Sequence, residues 1–241
     1  MLDVIGTILV GLAMAVILTG MVTSMPLRLA HRLALSGIVG AWVGLAGAVA
    51  GAGALSDPVT VLAMFATPLV AIVTLVVAFP TVRLALNSVP LPLLVGLNAI
   101  RLGGVLFVLL AGAGRLSGPF PYLAGWGDFT TGALAIPAAW LAASDVSFRN
   151  RLIVVWNTFG TLDLIVAVTL GLTSRNGSPL QLIHAGVGTA ALQSLPWSFV
   201  PTVLVPFFLV AHAAIFARLR ALSVDSGGQR PISIGDLGRA H

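Results

Sequence analysis

Seven apolar runs follow one another along the chain, near residues 2–22, 33–55, 59–79, 91–113, 118–143, 152–172 and 198–219. About 20 mostly apolar residues cover the roughly 30 Å of bilayer hydrocarbon, and only a helix satisfies its own backbone groups there. The pattern therefore predicts an all-α, polytopic integral membrane protein, a bundle of seven transmembrane helices in one domain over residues 1–220. Breakers fall between the runs: Pro26, Asp57 with Pro58, Pro80, Pro90, Pro119 with Pro121, and Asn176 with Gly177. The first run reads as a retained helix rather than a signal peptide. Asp3 stands where a basic n-region would be, and no small-x-small site precedes Pro26. Residues 221–241 are Ser/Gly-rich, with Arg230 and Arg239, and read as a disordered cytoplasmic tail.

Composition sharpens this picture. Of 241 residues, 58% are apolar and 8% charged, and mean hydropathy is +1.08. A soluble domain carries about a quarter charged residues, so a water-soluble globule is excluded. The net charge of +5 comes from arginine and aspartate alone. The arginines sit singly or in pairs between apolar runs rather than on one face, which speaks against a nucleic-acid partner. Their distribution sets topology. With the amino terminus outside, inner connections hold Arg28, Arg32, Arg83, Arg149, Arg151, Arg218 and Arg220, and outer ones only Arg115 and Arg175. The positive-inside rule then gives amino terminus out and carboxyl terminus cytoplasmic, in a bacterial inner membrane or plasma membrane.

Three ionised side chains fall inside expected spans: Arg101, Asp128 and Asp163. Each costs about 2.5–3.5 kcal/mol at a helix centre, so they should face protein or water and meet one another. Counting 1.5 Å per residue puts Arg101 and Asp163 about 16 Å deep and Asp128 about 7 Å farther out, a gap an arginine covers. Asn98, Asn157 and His212 fall near the same level. The surrounding helices carry breaks at Gly125, Gly127, Pro137, Pro201 and Pro206, as do the discontinuous helices of transporter sites. Two carboxylates against one guanidinium leave a negative charge that a proton, a cation or a cationic solute group could neutralise.

These residues point to a small-solute or proton-coupled transporter in which Arg101 alternates between Asp128 and Asp163. Two other readings compete with it. One is a non-catalytic subunit or assembly factor of a membrane complex; the other is a membrane-embedded enzyme on lipid, quinone or isoprenoid substrates. Enzyme signatures are thin: there is no HExxH, GxSxG, Walker loop or post-strand GxGxxG. The chain has no cysteine, and without lysine it cannot hold a retinal Schiff base. No cofactor is expected, a single-histidine haem on His212 being the one arrangement left open. Gly37, Gly40, Gly44, Gly47 and Gly51 draw one small-residue stripe down the second span. Such stripes seat a neighbouring helix, here expected within the bundle, with a homodimer contact as the alternative.

Overall fold

The computed structural model describes residues 1–228, and all regular structure among them is helical. The long helices are α1 (Leu2–Ser24), α2 (Leu29–Gly51), α3 (Pro58–Ala78), α7 (Phe120–Ala142), α8 (Arg149–Thr173) and α9 (Val205–Gly228). Between α3 and α7 come α4 (Pro80–Ser88), α5 (Leu91–Gly96) and α6 (Val105–Gly112). A 3₁₀ stretch, Leu97–Gly104, joins α5 to α6, so that Leu91–Gly112 runs as one membrane-length helix. A π-helical turn, Val200–Leu204, leads into α9.

Among the described residues six helices are long and apolar enough to cross a membrane: Leu2–Ser24, Leu29–Gly51, Pro58–Ala78, Leu91–Gly112, Arg149–Thr173 and Val200–Leu222. By length and composition this is a multi-pass membrane protein. The fifth of the seven expected spans corresponds to α7, which is as long as α1 but is not among the six. Its glycines, threonines and Asp128 lower its apolarity. That composition suits its position, because α7 packs against α5, α6, α8 and the 3₁₀ stretch at the centre of the molecule.

Boundaries follow local chemistry. Pro58 and Pro80 open α3 and α4 at first-turn positions, where the missing N–H is no loss. Asp57 caps α3 by accepting from the Thr60 N–H at 2.8 Å and the Thr60 hydroxyl at 2.7 Å. These bonds hold its carboxyl below the ordinary aspartate range. The second span starts earlier than its apolar pattern implied, at Leu29, directly after Pro26 and the extended Arg28. The carboxyl-terminal tail expected from residue 221 begins as helix instead, since α9 continues to Gly228; residues 229–241 lie outside the described residues.

Hydrogen bonds gather the connections into two ends. At one end Asp3 accepts from Arg115 at 2.6 Å and from the Trp197 indole at 2.7 Å. There too Arg175 donates to the Leu55 and Ser56 carbonyls, and Ser117 to that of Ala185. At the other end Arg32 bonds the Met25 carbonyl at 3.1 Å, and Arg218 bonds that of Asn87. The densest apolar cluster sits toward this second end. Val89, Leu94, Val95, Ala135, Ile153 and Ile215 are its most buried members.

The glycine stripe of α2 is not a seam of the monomer. Around Gly37, Gly40, Gly44 and Gly51 a side-chain carbon would meet nothing within 4 Å, and only at Gly47 would it touch the Phe199 ring, at 3.5 Å. The helix instead buries Ala46 and Ala50 against Leu55, Met64 and Phe199. Trp42 sets that rotation, because its indole N–H donates to the Thr202 carbonyl at 3.0 Å. We expect Gly40→Ala and Gly44→Ala to leave thermal stability in detergent unchanged or raised. Ala46→Leu should cost about 1–3 kcal/mol by overpacking. A loss in the glycine variants matching that of Ala46→Leu would mean that another helix seats on the stripe.

Candidate functional site: a buried guanidinium between two carboxylates

Arg101 lies in the 3₁₀ stretch between α5 and α6 and is 3% exposed. Its Nε donates to Asp128 of α7 at 2.7 Å, and its Nη2 to Asp163 of α8 at 2.5 Å. Its Nη1 reaches both the Gly160 carbonyl at 3.1 Å and His212 Nε2 of α9 at 3.0 Å. The Phe208 ring lies against the guanidinium with 5.7 Å between Cζ and the ring centroid, a cation–π distance. One side chain therefore joins four membrane-length helices.

The donor roles fix the histidine. A guanidinium can only donate, so His212 Nε2 accepts and its Nδ1 carries the proton. Nδ1 then donates to Asn157 Oδ1 at 2.7 Å, while Asn157 Nδ2 donates to the His212 carbonyl at 3.1 Å. The bonding requires a neutral ring with both nitrogens engaged. An iron on His212 would have to displace one of these bonds. Among the described residues no three His or Asp side chains gather as a metal site. Asn98, fully buried one turn below Arg101, bonds only the Leu94 carbonyl, at 3.0 Å through Nδ2. Its Oδ1 has no partner, and it stands beside the charged network rather than in it.

The convergence depends on glycine at helix crossings. A Cβ at Gly127 would collide with the Asp163 carboxyl, and one at Gly104 with Asp128. At Gly160 it would lie 2.7 Å from the His212 ring, and at Gly132 2.9 Å from the Arg101 carbonyl carbon. Trp156 braces the same crossing by donating to the Thr131 carbonyl at 3.1 Å. Small residues let backbones approach in lipid, and here they do so between α7, α8 and the 3₁₀ stretch. Phe208 gave no signal in the sequence, being one apolar residue among many.

Asp128 and Asp163 remain slightly open, with side chains 15% and 8% exposed. Two clefts end at Asp128. One lies between α3 and α8, enclosing about 800 Å³ with its open mouth, from Arg175 and Thr189 inward past Phe65, Val168 and Leu164. The other, about 570 Å³, lies between α1 and the α5–α6 helix, past Val10, Ala13 and Phe208. Both are walled almost wholly by apolar side chains.

A family model for a domain of unknown function, DUF8737, matches residues 58–220. The chain belongs to that family. The DUF8737 match takes in every residue of the charged network and leaves α1 and α2 outside it. No curated protein and no solved structure matches the chain.

Removing one partner of a buried ion pair strands the other charge, so Arg101→Gln should destabilise the protein by about 3–5 kcal/mol. Gly127→Ala should cost about 1–3 kcal/mol as Asp163 is displaced. Gly103→Ala, whose new methyl meets nothing within 4 Å, should be near neutral. Thermal unfolding of the detergent-solubilised variants measures all three, and equal values for Gly127→Ala and Gly103→Ala would contradict the packing described.

Proposed function

We propose that this DUF8737 protein is a seven-helix, proton-coupled carrier for a small solute with an apolar body. In this reading α7 also spans the membrane, as the fifth of seven, the amino terminus faces out and the carboxyl terminus faces the cytoplasm. Asp128 and Asp163 hold the coupling proton, and Arg101 shifts its charge-assisted bonds between them. The observation behind it is the charge count at one buried point. One guanidinium is shared by two partly open carboxylates, and the histidine in contact with it is neutral by its hydrogen bonds. The excess negative charge calls for a proton or a cation at a depth where neither is supplied by another described side chain.

The polarity of access supports a carrier too. Both clefts reach Asp128 while the opposite half of the molecule is filled by its densest apolar cluster. That is the arrangement of a carrier resting open toward one side, the outer one in the topology adopted. The apolar cleft walls also favour a second reading, an enzyme acting on a lipid-like substrate beside Asp128. The carrier is preferred here on the excess charge at the buried ion network rather than on the cleft walls.

Infrared difference spectra recorded on a pH change, with the protein in lipid, test the proton-holding role. A carboxylic acid band should interchange with a carboxylate band, and Asp163→Asn or Asp128→Asn should remove it. Spectra identical in the wild type and both variants would overturn the proposal.

A further inference from the structure

Arg175 is the second deeply buried arginine, and the charged network does not use it. It follows α8 directly, is 5% exposed and lines the outer end of the cleft between α3 and α8. Its Nη2 donates to the Leu55 and Ser56 carbonyls, the latter at 2.7 Å, while its Nε is buried with no partner. It enters none of the ion pairs found among the described residues. Burial pushes its guanidinium below the ordinary arginine value, and the more distant charge of Asp57 opposes that shift. The neighbouring Ser174 hydroxyl is also buried without a partner, and Thr189 lines the same end of the cleft. A buried cation with an unanswered donor therefore sits at the mouth of a long apolar space whose inner end is Asp128.

We propose that this cleft binds a single-chain amphiphile with a carboxylate head, the head on Arg175 and the alkyl chain running inward toward Asp128. Charge fixes the orientation. The outer end offers a guanidinium that forms no ion pair among the described residues, whereas the inner end is Asp128, one of two carboxylates sharing one arginine, and repels an anion. The walls agree as well, since Leu62, Phe65, Val168 and Leu172 line the path and present no polar groups to an alkyl chain. Arg175 stands at the end of a membrane-length helix, where an amphiphile's head rests in a bilayer while its chain points to mid-depth.

Binding of radiolabelled tetradecanoate to the full chain in phosphatidylcholine nanodiscs, with empty discs as the blank, tests this. Tetradecanoate should bind saturably and at least tenfold more tightly than tetradecanol. Arg175→Gln should abolish that tenfold preference, and Arg175→Lys should retain part of it. Because Arg175 also ties down the α2–α3 connection, Val168→Trp provides a second probe that leaves those bonds intact. It should weaken acid and alcohol alike by obstructing the chain. Uptake no greater than by empty discs, equal binding of acid and alcohol, or tighter binding of tetradecyltrimethylammonium would overturn the proposal. So would displacement of tetradecanoate by phosphatidylglycerol at equal affinity, which would make the cleft a two-chain lipid site. The assay reads no proton movement, so its failure leaves the carrier reading standing, and failure of the infrared test leaves the amphiphile site standing.

Discussion

A guanidinium can only donate hydrogen bonds, so at the middle of a membrane-length helix Arg101 must find acceptors within the protein. The helices around it have to supply acceptors from several directions at once. They do so from α7 through Asp128, from α8 through Asp163 and the Gly160 carbonyl, and from α9 through His212. A planar fork of donors has a fixed geometry, so meeting it fixes how these helices are rotated and how deep each one sits. Asn157 extends the constraint by locking the His212 tautomer that accepts from Arg101. Replacing such a network by apolar residues is often neutral or stabilising elsewhere. Stability alone is thus a weak reason for keeping an arginine with two acids and one excess charge here.

The helix irregularities fall where this network needs them. Arg101 is carried on 3₁₀ turns rather than α turns, and the same stretch ends at Gly104, which lies against Asp128. The π turn Val200–Leu204 contains Pro201 and brings Thr202, whose carbonyl takes the Trp42 indole, to the face of α2. Departures from α geometry within helices are common where a backbone must re-aim a side chain. In lipid they survive only where protein satisfies the freed groups.

Most of the architecture is legible from hydropathy alone, because lipid imposes length and helicity on any apolar run. The shared depth of Arg101 and Asp163 follows from counting residues along helices with fixed rise. Rotation is less legible. The five-glycine stripe of α2 states that one face is small but not what lies against it, and the Trp42 bond turns that face outward. The glycines that carry helix crossings stand instead at Gly104, Gly127, Gly132 and Gly160, where no single periodic stripe announces them. Hydropathy also undercounts α7, since a helix enclosed by others needs less apolarity than one facing lipid. Arg175 was readable only as an outer-loop charge, because its burial depends on the distant carbonyls of Leu55 and Ser56.

The family match begins at Pro58, at the first residue of α3, and this division has a physical counterpart. The helices from α5 onward share the charged network and the densest core. By contrast, α1 and α2 bury little and are fastened by a few polar contacts, Asp3 with Arg115 and Trp197, and Trp42 with Thr202. Yet α1 forms one wall of the second cleft through Val10 and Ala13, and the α2–α3 connection holds Arg175 at the mouth of the first. Under the proposed carrier reading, α1 and the α2–α3 connection are therefore the elements positioned to change access to Asp128 while the bonds of Arg101 stay intact.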